Sequence, residues 1–567
     1  MRYSRLLGKS LREVPHESPS ESYSLLLKAG FVRQLGQGLF SFLPLGMRVI
    51  KKIELLISEE MEKLGGQEIL APVVTPAEIW RKSGRYAWNS KELISFHDRH
   101  GRELVLSPTH EEAFVELIRS SLSSYRDLPI LLYQQQIKFR DEEKPRSGLV
   151  RSKEFLMCDA YSFHRSSIDL NNFFPRMFAA YKRIFERSGI ETTAVEAGVG
   201  FMGGEKSYEF LMPAQGGDQV IINCERCSYC ANRDIAAGAK ERLTGRPLPL
   251  EKVSTSCCTT MDELSDYLHL PRQKLAKSVV YSTPEGLVMA VVRGDYEVGE
   301  EKLSAYLKYP AHRLATNEEL LAAGLVPGYL SPFGTDGMEN PIRIVVDDTV
   351  ANSPNLVFEA DEEGYHLLNV NFGRDFESSD VTDISLTKKE NVCLQCGGKL
   401  GETPAIEMGH IFKLGDYYSR AMNLVFQEDR GATNYPHMGC YGIGLGRLMD
   451  AVVKGNHDEK GIIWPSRLAP YKVFLMSIGK SLGVKRVVEK LYEELKEDAL
   501  YDDRDESPGV KFMDADLIGL PVRIVVSSKH LGERMVEIRE RRTGKITLVP
   551  AQKAAQEVEA IISAAQA

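Results

Sequence analysis

The sequence predicts an α+β protein built around a mostly antiparallel sheet, and three observations carry that expectation. Strand-like segments near 103–107, 131–140 and 154–163 are separated by helical stretches without regular βαβ alternation, which argues against a doubly wound parallel sheet. The stretch KFRDEEKPRSGLVRSKEF (138–155) puts six basic and four acidic residues between two apolar runs and reads as a hairpin turn with its strand ends. At 567 residues the chain exceeds one ordinary core, so two to four domains are expected.

Taken in order, residues 45–72 read as a long amphipathic helix and then a strand. Ile50, Ile53, Ile57, Met61 and Leu64 recur at three- or four-residue steps, Gly65 and Gly66 end the helix, and QEILAP runs extended into Pro72. Near residue 224 the texture changes. CERCSYC opens a compositionally separate α/β region that closes near CLQCGGKL, so this region reads as an insertion bracketed by two Cys-x-x-Cys pairs. Within it, KSVVYSTPEGLVMAVVRGDYEV reads as a hairpin turning at Pro-Glu-Gly. The chain resumes with MGCYGIGLGRLMDAVV and ends in a compact α/β unit. There YKVFLMSI and PVRIVVSS are strands, and a helix carries Val484, Val488, Leu491 and Leu495 on one face. The expected boundaries are 1–235 and 391–468 for a core interrupted by 236–390, followed by 469–567.

Bulk properties narrow the function. With 43% hydrophobic and 26% charged residues the profile is that of a soluble globular protein. No apolar run approaches the roughly 18 residues of a membrane span, and the first residues lack a secretory h-region, so a cytoplasmic location is expected. The net charge of −8 excludes bulk attraction to nucleic acid; a polyanion must meet a local basic patch. Nine cysteines, an odd number with several in Cys-x-x-Cys spacing, favour metal or free thiols over a disulfide framework.

The charged hairpin carries the first chemistry. Ile137 and Phe139 point one way and Lys138, Arg140 and Glu142 the other, while Arg151, Lys153 and Phe155 share one face after the turn. A period of two thus sets two arginines, a glutamate and an aromatic ring on one side, a surface suited to a ligand with anionic and flat aromatic parts. In SPTHEE, Thr109 and Glu111 face the same side of an extended segment, and GHIF offers His410 to Phe412 behind a leading glycine. GIGLGRL allows close backbone approach, and its Arg447 supplies a fixed positive charge. It matches neither the phosphate-loop spacing GxxxxGK[ST] nor a dinucleotide-binding fold.

In this order the segments closely resemble the bacterial-type prolyl-tRNA synthetases, which are class II aminoacyl-tRNA synthetases, over essentially the whole chain. The helix and strand ending at Pro72 resemble motif 1, FRDE…R…F motif 2 and GIGLGR motif 3. SPTHEE, CDAYSFH, GHIFKLG, GCYGIG and DDRDESPGVKFMDADLIGLP add to the likeness. The resemblance implies an antiparallel-sheet catalytic core, an inserted α/β editing domain and a C-terminal α/β anticodon-binding domain, in a homodimer joined through motif 1. It implies ATP with Mg²⁺, proline and tRNA(Pro) as partners, and no membrane. Arg140 would contact the α-phosphate, Glu142 the adenine amino group, and Phe155 would stack on the ring; Arg151 and Arg447 would hold the γ-phosphate. Of these, Arg140, Glu142 and Arg447 are the expected catalytic residues. Thr109 and Glu111 would take the imino group of proline, with Arg140, His410, Phe412 and Cys440 completing its pocket.

A proline pocket rejects the smaller alanine by only about 1–3 kcal/mol, so a second, hydrolytic site is the physical remedy. In the insertion, Lys277, Gly328 and Pro332 (of GYLSP), Asp347 and His366 match the family's editing residues. Cys224/Cys227 and Cys393/Cys396 have zinc half-site spacing, and structural Zn²⁺ stands beside free thiols at a domain junction as the reading, with Cys230 a competitor. Cys158 and Cys257-Cys258 read as structural. Residues 471–567 carry 16 Lys/Arg and 16 Asp/Glu, so RNA recognition there needs a local patch, with Arg523, Arg539, Arg541 and Arg542 as candidates by charge. Ser147, Lys413 and Tyr208 stand where the family usually has an aromatic, a glutamine and a histidine, all near the expected active site. A relative serving another amino acid or acceptor, and an inactive RNA-binding paralogue, are the competing readings.

Overall fold

In a computed structural model of the chain, which describes all residues except 14–19, 89–92, 143–144, 146–147, 257, 259, 309–312, 334–341 and 565–567, the polypeptide divides into two units. One comprises Met1–Thr193 and Met408–Ala567, the other Ala194–Glu407. The second unit is wider than the expected insertion 236–390. Its flanks pair with each other, strand Gln219–Cys224 running antiparallel to residues 400–405, so both Cys-x-x-Cys pairs fall inside it.

The sheet of the first unit positions the site. Residues 409–415 of strand Leu400–Gly415 pair antiparallel with His437–Gly444, which pairs with Glu154–His164, which pairs with Ile130–Phe139; the short strand Gln67–Glu68 adds in parallel. Directly opposed residues share a face. The register therefore aligns Phe412, Cys440, Tyr161 and Leu132 in one row, His410, Gly442, Asp159 and Gln134 in the next, and Lys138 opposite Phe155 further along the same face.

The reverse face packs on two helices. Tyr441 meets the rings of Phe173 and Phe174, 6.4 and 6.2 Å away, on helix Ser167–Arg187. Gln135 reaches helix Pro44–Lys63 through Glu54 O (3.1 Å) and Ser58 Oγ (2.9 Å). That helix starts with proline at its first turn, where no N–H is missed, and buries Ile50, Ile53, Ile57 and Met61 as their spacing predicts. Leu55 on the same helix is 61% exposed, and Leu70 just beyond it 73%.

The last hundred residues form a five-stranded sheet in the order Ala499–Asp502, Val473–Ile478, Val522–Ser527, Met535–Glu540, Ile546–Pro550, parallel across the first three strands and antiparallel beyond. Helix Leu482–Leu495, capped by the Ser481 hydroxyl, buries Val484, Val488, Leu491 and Leu495 against it. The arginines picked by charge are occupied internally. Arg523 and Arg539 both reach Asp516 (3.0 Å), Arg541 clamps Asp458 (2.6 and 2.7 Å), and Arg542 donates to Asn456.

In the second unit, the predicted hairpin is Ala276–Thr283 with Gly286–Arg293, in a five-stranded sheet with Arg313–Leu314, Arg343–Asp347 and Asp380–Thr382. Three further strands, Glu251–Ser254, Tyr365–Val370 and Leu356–Glu359, form a separate sheet. Among the described residues, no helix is long and apolar enough to cross a membrane.

Candidate active site

Alternation along Ile130–Phe139 delivers the hairpin residues to one place. The strand ends at Phe139, but pairing continues through Arg140 N donating to Lys153 O (2.8 Å). The Arg140 guanidinium lies 5.3 Å from the centre of the Phe155 ring, and its Nε donates to Pro108 O (3.5 Å). Arg151 Nε donates to Glu142 Oε2 (2.7 Å), and Arg447, in the first turn of helix Leu445–Gly455, donates to Val150 O (2.9 Å). Arg140, Glu142, Arg151, Phe155 and Arg447 thus cluster through one hairpin and one helix start. Ser147 lies outside the described residues.

Thr109 and Glu111 sit beside this hairpin, since Phe139 N donates to Ser107 O. Helix Glu111–Arg119 opens with two carboxylates that are 0% exposed, favoured at a helix N-terminus but costly to bury. Arg85 compensates them. Its Nη1 stands 3.0 Å from Glu111 Oε2 and 3.1 Å from Glu112 Oε2, and its Nη2 donates to Thr109 Oγ1 (2.9 Å). The two carboxylates raise the Arg85 pKa against the burial that lowers it. On the other side of Glu111, the Cys440 thiol donates to Oε1 (3.0 Å); burial and this carboxylate push the thiol well up. Phe412 lies directly across from Cys440 and stacks on His410, centroids 3.9 Å apart at 24°. A carboxylate, a hydroxyl and flat apolar walls therefore converge beside the hairpin cluster.

Below them runs a buried network that the motifs did not single out. Lys138 is 0% exposed; its ammonium lies 2.8 Å from Asp159 Oδ1 and bonds His110 Nδ1. Asp159 Oδ2 also accepts from Gln134 and from Tyr161 Oη, each at 2.9 Å. Nε2 of His110 faces the Pro72 carbonyl (3.0 Å), which assigns its proton to that nitrogen and leaves Nδ1 to accept from Lys138. Burial, and then the Lys138 charge, hold the imidazole down at about 3. Asp159 had one signal, a lone acid inside the apolar run LMCDAYSF; Arg85 had none. Lys413 was expected near the site, but alternation turns it to the reverse face, where it donates to Asn171 Oδ1 (2.7 Å). Tyr208 lies in the second unit, with the Lys206 ammonium 5.0 Å from its ring centre.

The second unit holds the remaining predicted residues. His366 Nδ1 bonds Thr255 Oγ1 (2.6 Å), and its ring meets Tyr329, from the GYLSP segment, edge-on at 6.4 Å. Ser331 of that segment donates through its backbone N to Asp361 Oδ1 (3.0 Å) and through its hydroxyl to Oδ2, and Gly328 has a positive φ of 87° with open space around it. Lys277 pairs with Glu297. Asp347 stands apart from these. Its oxygens accept from Lys240 (2.9 Å), Ile384 N (3.0 Å) and Thr349 N (3.0 Å), so the expected pocket aspartate is fully engaged in an internal knot. Cys224 Sγ lies 3.4 Å from Cys396 Sγ and Cys227 Sγ 3.7 Å from Cys393 Sγ, and one sulfur of each lies within 4.8 Å of the other three. Cys230 packs with Val195, Leu211 and Ile221 instead.

The sheet face that gathers the charged hairpin and the glycine-led arginine lies within a class II tRNA synthetase core. Residues 94–456 match the tRNA synthetase class II core domain (G, H, P, S and T), and 472–561 match an anticodon binding domain. A proline–tRNA ligase of Dehalococcoides mccartyi is 43% identical over 555 residues, covering 97% of each chain, and one of Pelotomaculum thermopropionicum is 42% identical over 570 residues, covering 99% of each. The chain belongs to the proline–tRNA ligase family. The fold is also that of prolyl-tRNA synthetase from Cryptosporidium parvum complexed with L-proline and AMP (TM-score 0.56, 11% identity, covering 96% of this chain and 78% of that one).

Proposed function

We propose that the chain activates proline with ATP and passes it to the 3′ end of tRNA(Pro), with the sheet face described above as its active site. One observation carries the assignment of residues: the Thr109–Glu111 pair, walled by Phe412 and Cys440, stands beside the Arg140–Phe155 contact. The secondary ammonium of proline has two N–H donors, which Glu111 and Thr109 accept, while Phe412 and His410 cover its ring. Phe155 and Glu142 take adenine, and Arg151 and Arg447 take the distal phosphates. A proline carboxylate oxygen attacks the α-phosphorus, the bond to the β-phosphate oxygen breaks, and pyrophosphate leaves. Arg140 stabilises the charge that develops. The attacking carboxylate is already ionised and needs no base. A terminal ribose hydroxyl of the tRNA then attacks the carbonyl carbon of the mixed anhydride, its proton passes to solvent, the bond to the phosphate oxygen breaks, and AMP leaves. Mg²⁺ bound to the ATP phosphates would screen their charge.

Three further parts complete the reading. The exposed Leu55 and Leu70 support a homodimer through the first long helix. The second unit hydrolyses alanine mischarged onto the tRNA, at Lys277, His366 and the Gly328–Pro332 segment. The four cysteines hold structural zinc, since tetrahedral Zn–S bonds of about 2.3 Å put sulfurs roughly 3.8 Å apart, close to the 3.4 and 3.7 Å present. The clustering of Arg140, Glu142, Phe155 and Arg447 favours an active enzyme over an inactive paralogue. Amino-acid-dependent ATP–pyrophosphate exchange across all twenty amino acids tests the assignment: exchange is fastest with proline, and faster exchange with any other amino acid would overturn it.

A further inference from the structure

Around Lys277, His366 and the Gly328–Pro332 segment, which the hydrolytic reading brings together, stands a carboxylate that no motif marked. Glu359 ends strand Leu356–Glu359 and lies directly opposite His366 in the antiparallel pair, so the two share a face. The parallel bridge between Leu275 and Val357 sets the two strands side by side, and two residues further along each lie Lys277 and Glu359. Asp361, two residues on, holds the GYLSP segment through Ser331, and Tyr329 of that segment meets His366. Glu359 is therefore bordered by Lys277, His366 and the Gly328–Pro332 segment.

Its environment is unusual for a carboxylate. Oε2 is buried and has no hydrogen-bond partner among the described residues. The lysine abreast of it is paired with Glu297 instead. Burial, opposed by a hydrogen bond from the residue's own backbone and by Lys277 and reinforced by Asp361, pushes the Glu359 carboxyl up to about 8. A buried acceptor without a donor is costly to fold around, and such groups need an explanation in function or in a missing ligand. The donor every aminoacyl ester brings is its α-ammonium group. Lys277, the cation abreast of it, is engaged by Glu297, which leaves Glu359 Oε2 to a donor that enters with the substrate.

We propose that Glu359 binds the α-ammonium group of the aminoacyl ester in the second unit, with the ester carbonyl toward Lys277 and His366. This rests on the hydrolytic reading of that unit. Binding is ionic recognition: Glu359 gives up its proton to solvent and accepts N–H donors, and no covalent bond changes. The carboxylate recognises the charged amino group common to aminoacyl esters, and the size of the pocket is left to select alanine.

The test uses the full chain and two esters on the same tRNA: alanyl-tRNA, and lactyl-tRNA, in which a hydroxyl replaces the ammonium. The wild-type chain is expected to deacylate alanyl-tRNA much faster than lactyl-tRNA. Glu359→Gln, close in shape, is expected to slow alanyl-tRNA deacylation about 10- to 100-fold, the worth of a hydrogen bond to a charged group, and to leave lactyl-tRNA deacylation unchanged. Glu359→Asp is expected to restore part of the preference. Proline-dependent pyrophosphate exchange and the melting temperature report folding. Equal loss on both esters, or no loss on either, overturns the role of Glu359 while the hydrolytic reading stands. A wild-type chain that deacylates neither ester overturns both.

Discussion

Arg85 and Glu111 meet at 3.0 Å in the interior, although neither the charge of the chain nor any motif links them. The guanidinium fork spends one arm on Glu111 and Glu112 and the other on Thr109, so one residue sets the spacing of the hydroxyl and carboxylate proposed above to receive proline. Lysine keeps the charge but not the fork. Arg85→Lys is expected to raise the KM for proline about tenfold or more, the worth of one charged hydrogen bond, with the KM for ATP little changed in pyrophosphate exchange. An equal rise in both would place Arg85 outside the proline pocket.

His110 makes stability depend on acid. Its folded pKa, about 3, is below the ordinary imidazole value, so the unfolded chain binds more protons and stability rises with pH between about 3 and 6.5. The groups facing it are Lys138, Asp159 and Glu111, with the Pro72 carbonyl on the far nitrogen. His110→Gln is expected to flatten the fall in melting temperature between pH 6 and 4. A slope unchanged from wild type would show that other groups set it.

The four sulfurs are expected to hold one zinc per chain, read by elemental analysis. Cys396→Ser is expected to lose that zinc and lower the melting temperature, while Cys230→Ser retains it. Chains purified with zinc excess that still carry none would dismiss the site.

Lys277→Ala is expected to leave proline charging intact and let alanyl-tRNA accumulate in a charging assay with alanine. Unchanged deacylation in that variant would remove Lys277 from the hydrolytic site.

Leu55→Glu combined with Leu70→Glu is expected to shift sedimentation from dimer to monomer, because two charges replace the most exposed apolar side chains on and beside the first long helix. A dimer that survives both would place the interface elsewhere.

Local pattern was a good guide wherever the side chain answers to its own strand or helix. Period two put Arg140 and Phe155 on one face, and steps of three and four found the buried stripe of Pro44–Lys63. What pattern could not reach are pairings set by distant segments. Arg85 meets Glu111 across 26 residues of sequence, and Asp347 is claimed by Lys240, 107 residues away. Lys413 shows the opposite failure: its place in GHIFKLG suggested the site, yet one step of the pleat sends it through the sheet. Glu359 left no mark because a single glutamate in an exposed-looking run, EADEEG, reads as solvent until the strand pairing is known.

The thiol of Cys440 touches the Glu111 carboxylate, proposed above to receive the substrate, which at first sight makes the site vulnerable to electrophiles and oxidants. Alkylation and oxidation proceed through the thiolate, and the same burial and Glu111 contact that define the pocket suppress ionisation of this sulfur. This part of the sheet face is thereby chemically quiet: reagents that consume accessible thiols elsewhere in the chain meet, at Cys440, a proton they cannot easily remove.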